Sequence, residues 1–536
     1  MAVVWIITTG NSDFKLEKED GFSHLRTEKN QQLKPCQKDF PRLIKGDDNL
    51  FYLPARAMGI LYGDTWDTHK NYFRFPLLEE FLKFLKKPEN EKKYPDRIIV
   101  VLTNQGKIFL EDSNDSRYNR SEDSPYWRDT SRLEVIFKNY FDREFGEGKV
   151  QFPFPLLEPE TPKEGLDNWD STLDLVQKEF KKWQISKDDT IIVSHQASTP
   201  AVSSAVQFVS LAKFGEKITF LIGNERDSTL TRFLEGSKYL KGIRIQEAKA
   251  LLDSHDYSGV AALVKDYVKD DEETKILLNA CIMWNFAKFE DFATQLKKLD
   301  KFQAVVEERT KSENWWWTAY EAAYLAVIRL DKRKDKDEVK DTVDALFHSF
   351  RAVEGVFTEW GIQQFKDHIH IKNDRPYLQT TILDDEHYFS RSKYKEKDGK
   401  QVPDNEIARL KHTLEDLKSR QKDTVFYGST VYTLFREVRK DWKDRCKTIN
   451  LFWDVNNGIS EKRNKIFHQL RGLTENELFK IWEVDNFDSW KERIREFINC
   501  VSDETFEFLD KKGSDGRVAS LMVKVHQELK DAIAQL

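Results

Sequence analysis

The sequence predicts a doubly wound α/β domain over residues 1–245, followed by an all-α region over residues 246–536. Three observations predict it. Short β-branched runs alternate with amphipathic stretches through the first 240 or so residues; this strand signal stops near Ile245; and from Glu247 one helical pattern follows another.

The expected strands are Ala2–Thr9, Arg97–Thr103, Thr190–Ser194, Lys217–Ile222 and Gly242–Gln246. Several are apolar nearly throughout, as strands covered on both faces must be. Pro76–Lys87, Leu166–Trp183 and Pro200–Phe214 read as the intervening helices, which implies a mostly parallel sheet. Such a sheet binds ligands beyond the carboxyl ends of its strands. Beyond residue 246, helices are expected at Glu247–Leu252, Ser258–Lys269, Lys275–Trp284, Phe289–Lys298 and Trp315–Leu330. A polar stretch over residues 374–423 interrupts them. Its first half, with Asp398-Gly399, reads as a mobile insertion, and Asn405–Arg420 as a charged surface helix. Trp315, Trp316 and Trp317 point in three directions on a helix, so they read as packing residues rather than one stacking platform.

Composition narrows the function classes. With 39% hydrophobic and 33% charged residues and a net charge of −6, nothing demands a polyanionic partner, so a nucleic-acid site must be a local groove. The four cysteines, Cys36, Cys281, Cys446 and Cys500, are too dispersed for a zinc site or a disulfide scaffold. No apolar run approaches the roughly 18–20 residues that span a bilayer. Met1–Gly10 lacks a basic start and a cleavage-like end, so it reads as a strand rather than a signal peptide. A cytoplasmic protein with no membrane partner is expected.

The segment Gly458–Gly472 carries the catalytic candidates. Ser460 as N-cap and Gly472 past the end delimit a helix of about three turns. Asn464 and His468 share a face, so the amide can orient the imidazole. Arg463 falls within the apolar arc of Ile466, Phe467 and Leu470, where it either frays outward or enters an interface holding an anion. Among eleven histidines only His468 has an arginine four to six residues before it. Arginine, a polar amide and histidine suit metal-independent RNA cleavage. The imidazole moves the proton of a ribose 2′-OH and the guanidinium stabilises the phosphorane. Spacing alone leaves a surface or core histidine at even odds with a catalytic one.

Arg463-Asn464-x-x-x-His468 resembles the signature of HEPN ribonucleases. In that family two copies of the motif, one per subunit, form one composite active site, which would account for Arg463 on the apolar arc. The resemblance implies a homodimeric endoribonuclease cutting single-stranded RNA and leaving a 2′,3′-cyclic phosphate.

Three polar loops end the N-terminal strands: Thr8-Thr9-Gly10-Asn11-Ser12-Asp13, Thr103-Asn104-Gln105-Gly106, and Ser194-His195-Gln196-Ala197-Ser198-Thr199-Pro200. The first lacks G-x-G-x-x-G, so NAD binding is poorly supported. Thr199 as N-cap with Pro200 at N1 makes a phosphate seat. The bland alternative is that polar caps simply end strands. Together the loops resemble the Rossmann-like CARF sensor, which dimerises and binds cyclic oligoadenylates across its two-fold axis. Ala250–Gly259 resembles the linker that follows it. The resemblance therefore reads residues 1–245 as a CARF-like domain and 246–536 as a HEPN region, that is, a CRISPR type III effector. Its expected activator is a cyclic oligoadenylate, with the tetra-adenylate the expected ring. Thr9, Gly10, Asn11, Ser12, Asp13, Thr103, Asn104, Gln105, His195, Gln196, Ser198 and Thr199 are the expected contacts. No metal or other cofactor is implied. Many relatives are glycine-rich before the Thr-Pro pair, where this chain has Gln196-Ala197-Ser198, which leaves the phosphate contacts and ring size open. Ser12 and His195 are the candidates if the sensor also cuts its activator. Two other readings remain. One is a regulatory dimer whose HEPN region only dimerises; the other is a toxin-type HEPN ribonuclease, against which the large α/β domain argues.

Overall fold

A computed structural model describes residues 2–19, 21–33, 42–121, 123–150, 154–186, 188–224, 227–331, 341–440, 452, 458–459 and 472–536. The chain divides into two compact units, Met1–Ile243 and Arg244–Leu536.

The first unit is built on strands β1 (Val3–Thr8), β6 (Arg97–Thr103), β7 (Leu156–Leu157), β8 (Thr190–Ser194), β9 (Ile218–Ile222) and β10 (Arg232–Glu235). Between β1 and β6 lie four short strands, β2 (Lys15–Leu16), β3 (Ile44–Lys45), β4 (Phe51–Tyr52) and β5 (Phe73–Arg74), which form a small antiparallel sheet of their own. The main sheet has the order β7-β6-β1-β8-β9-β10, parallel except for β10. From β1 the chain first builds outward through β6 and β7, then returns to build the other way through β8. The junction of β1 and β8 is therefore the topological switch point.

Alternating side chains fill both faces of this sheet. Trp5, Ile7, Ile98, Val100 and Ile192 pack on one side against α1 (Ala55–Tyr62), α2 (Pro76–Leu85) and α3 (Glu134–Phe145). Val4, Ile6, Ile99, Val193 and Phe220 pack on the other against α4 (Trp169–Lys182) and α5 (Pro200–Phe214). The Trp5 indole donates to Ser194 Oγ at 3.0 Å, and that hydroxyl donates to the Leu221 carbonyl at 3.1 Å.

One expected strand is a helix instead. Gly242–Gln246 lies inside α6 (Gly236–Asp253), and the last strand of the sheet is Arg232–Glu235. Two isoleucines in five residues suggested extension, but Ile243 is exposed, so the alternation there buries nothing.

The second unit is helical. Its described helices include α7 (Tyr257–Val264), α8 (Glu272–Asn285), α9 (Phe289–Leu296), α10 (Asp300–Arg309), α11 (Trp317–Leu330), α12 (Thr342–Gln364), α13 (Glu406–Ser419), α14 (Ser429–Val438), α15 (Glu475–Ile481), α16 (Phe487–Ser502) and α17 (Met522–Gln535). One core joins them, with Leu325 of α11, Phe357 of α12, Phe497 of α16 and Leu529 of α17 among its members. Trp316 and Trp317 are buried as packing residues, Trp316 edge-on to Tyr320 and Phe506.

The polar stretch is more regular than expected. Tyr394–Lys397 pairs with Lys400–Pro403 as a hairpin, and Asp398 (φ 53°) and Gly399 (φ 71°) form its two-residue turn. Asp-Gly is the sequence signal for that turn, whose positive φ angles match strand twist, so the dipeptide marked a hairpin rather than a mobile loop. The charged helix follows as expected, with the Asn405 side chain accepting from the Ala408 N–H at 3.1 Å.

Candidate functional site

A cavity of about 780 Å³ opens in the first unit at the carboxyl ends of β1, β6 and β8. It lies at the switch point, where neighbouring loops diverge and leave a crevice. Thr9, Gly10 and Asn11 line it from the first loop, Thr103 and Gln105 from the second, and Ser198 and Thr199 from the third. The loops are held by one another. Thr9 Oγ1 meets Thr130 Oγ1 at 2.7 Å, and Thr130 and Thr103 exchange hydroxyl and N–H bonds at 3.0 and 3.1 Å. A Cβ on Gly10 would sit 3.0 Å from the Ser198 nitrogen, so a side chain there would push the first and third loops apart by a few tenths of an ångström. Asn11 Oδ1 accepts from the Ala55 N–H at 2.7 Å, tying the first loop to α1. Thr199 caps α5 by accepting from the Val202 N–H at 3.3 Å, with Pro200 in the first turn.

The other five expected residues do not line the cavity. Asp13 folds under the first loop and accepts from the Gly10 N–H at 2.8 Å, while Ser12 is exposed beside it. Asn104 bonds Arg56 and Glu158. Gln196 closes a two-way amide bond with the Gly223 backbone. His195 shares the sheet face of Val193 and meets the Phe220 ring edge-on at 5.3 Å. Its two ring nitrogens are buried with no partner among the described residues, and burial holds the imidazole below its usual pKa. That surrounding suits a neutral packing residue.

Sequence reasoning missed the rest of the lining, notably Tyr52, Arg128, Asp129, Asp167 and Trp169. Asp129 anchors a buried network. It pairs with Arg56 at 2.9 Å and accepts from the Gln105 backbone N–H at 2.7 Å and from its side chain at 3.3 Å. Burial pushes the Asp129 carboxyl up, and the Arg56 guanidinium and the Gln105 donors pull it back. Arg56 also covers the Tyr126 ring at 3.9 Å. Nothing in the pattern announces a pair 73 positions apart. The Asn168-Trp169 step was the one available signal, an N-cap residue followed by a large aromatic that is 57% exposed.

Arg463, Asn464 and His468 lie outside the described residues, as does Ser460. Among the described residues no group of three or more His, Cys, Asp or Glu side chains is placed to hold a metal ion. No described helix is long and apolar enough to cross a membrane.

No family model matches the chain, and no curated protein does. Among solved structures it is similar to Csm6 from Enterococcus italicus, determined with bound cyclic hexa-2′-fluoro-hexa-dAMP. The match has a TM-score of 0.50 at 11% identity and covers 99% of this chain and 100% of the other. Over 99% of its length the chain therefore has the fold of Csm6, an α/β domain followed by a helical region.

Proposed function

We propose that this chain is an endoribonuclease of type III CRISPR antiviral defence, switched on by a cyclic oligoadenylate and acting in the cytoplasm on single-stranded RNA. The observation that carries the reading is the cavity at the switch point, lined by all three polar strand-end loops within a CARF-type domain. The start of α5, where Ala201 lines the cavity, offers helix-end N–H groups to phosphate, and Arg128 adds a cation. That the similar Csm6 was solved with a cyclic hexanucleotide supports a cyclic oligonucleotide as ligand. The cyclic tetra-adenylate remains the expected activator.

In the cutting step, His468 moves the proton of the substrate's 2′-OH or of the leaving 5′-oxygen. Arg463 stabilises the charge that builds on the phosphorane, and Asn464 orients the imidazole. The nucleophile belongs to the substrate, so the reaction runs without metal and leaves a 2′,3′-cyclic phosphate. Two chains of a homodimer contribute one motif each.

The test incubates purified protein with end-labelled single-stranded RNA in excess EDTA, alone and with the cyclic tetra- or hexa-adenylate. One ring should raise cleavage strongly, with cyclic phosphate ends on the products. Equal rates with and without both rings at saturation would overturn the gating. Activity lost on chelation and restored by Mg²⁺ would overturn the mechanism.

A further inference from the structure

The Leu166–Trp169 turn at the start of α4 is fixed over the cavity. The Leu166 N–H donates to Gln105 Oε1 at 3.0 Å, and Thr199 Oγ1 donates to the Leu166 carbonyl at 3.0 Å. The peptide is thus clamped from the second and third loops at once. Just beyond it, Asn168 caps the helix by accepting from the Ser171 N–H at 3.1 Å. Two side chains in this turn have no structural task. Asp167 lines the cavity, and its carboxylate has no hydrogen-bond or ion-pair partner among the described residues. It lies over Gly165, where a Cβ would come within 2.7 Å of Oδ1. Trp169 lines the same cavity with more than half of its surface exposed, an unusual place to leave an indole.

An unpaired carboxylate is out of place in a seat for a phosphate-bearing ligand, because phosphate repels it. It is tolerated where it meets a donor of that ligand. A nucleobase supplies both an exocyclic amine for a carboxylate and a π-face for an indole. On the reading of the cavity as an activator site, we propose that Asp167 and Trp169 read the base of one adenine nucleotide. Trp169 stacks on the ring and Asp167 accepts a hydrogen bond from the 6-amino group.

The test compares binding of the cyclic tetra- and hexa-adenylates with rings in which purine, lacking only the 6-amino group, replaces adenine. The wild-type chain should favour the adenine ring about tenfold or more, the cost of leaving an acceptor that the bound ring covers without its donor. Asp167→Ala should lose that preference, because both rings then bind alike. Trp169→Ala should weaken both rings together by about 5- to 100-fold, and Trp169→Phe should recover part of the loss. Both side chains are exposed, so thermal unfolding should not move and serves as the folding control. A wild-type preference unchanged by Asp167→Ala overturns the base-reading role and would point the carboxylate to a ribose hydroxyl. Failure of the wild-type chain to bind either adenylate ring overturns the activator reading itself.

Discussion

Arg56 and Asp129 show at the scale of single residues how the cavity floor is kept in shape. Their side chains are 5% and 2% exposed, so each charge depends on the other and on the donors around it. Arg56 also donates to the Tyr126 carbonyl and to Asn104, so one guanidinium joins α1 to two loops that reach the cavity. Replacing Arg56 by Met keeps much of the volume but leaves the Asp129 carboxylate buried with an unbalanced charge. The expected loss is about 3–5 kcal/mol, the cost of breaking a buried pair from one side. Chemical denaturation of the full chain should show it as a lower midpoint, and an unchanged midpoint would mean the pair does not hold the loops. Gly10 contributes for a separate reason, since a Cβ there would sit 3.0 Å from the Ser198 backbone nitrogen.

At the scale of elements, the junction of α7 and α17 carries a pH dependence. His255, just before α7, stacks on His526 of α17 with ring centres 4.5 Å apart and planes at 18°. The Tyr257 hydroxyl and His526 Nδ1 lie 3.0 Å apart. Burial, then the neighbouring imidazole and Arg329, lower the His255 pKa to about 3; Asp253 pulls the other way and Lys530 adds to the lowering. Burial and Lys530 lower that of His526 to about 4, with Asp253 again opposed. Both rings are thus neutral in the folded chain, whereas in the unfolded chain they take up protons near the ordinary value of 6.5. The unfolded state therefore binds more protons below pH 6.5, and stability falls as the pH drops from there toward 4. For each imidazole, every tenfold difference in proton affinity between the folded and unfolded chains is worth roughly 1.4 kcal/mol. Urea midpoints measured at pH 7 and pH 5 should separate in the wild-type chain and draw together in His255→Leu. Equal separation in both would remove the pair from the account.

At the scale of the whole molecule, the proposed function puts sensing and cutting in different units, and on that proposal each should be removable without the other. A ring held in the α/β unit changes cleavage only by binding the active arrangement better than the resting one. A shift from 1:99 to 99:1 needs about 5.5 kcal/mol of differential affinity. His468→Ala should lower RNA cleavage at least about 100-fold. Ring binding measured by calorimetry should stay at the wild-type value. Cleavage near the wild-type rate would sink the catalytic assignment, and a parallel loss of ring binding would mean that the substitution acts through folding.

What the sequence determined by itself was periodicity and punctuation. The apolar runs Val3–Thr8, Arg97–Thr103, Thr190–Ser194 and Ile218–Ile222 are strands because only burial on both faces makes such runs favourable. Thr199-Pro200 is a helix start because capping and a fixed φ act locally. The three loops were legible for the same reason, since polar residues that end parallel strands meet at one edge of the sheet. Tertiary structure alone decided which side chains in those loops face the cavity. His195 and Gln196 follow the third strand as directly as Ser198 does, yet sheet alternation turns His195 to Phe220, and Gln196 is taken up by Gly223. It alone also decided that Arg56 meets Asp129 and that Asp167 and Trp169 overhang the cavity. Those contacts join segments tens of residues apart, and no local rule of spacing or propensity reaches that far.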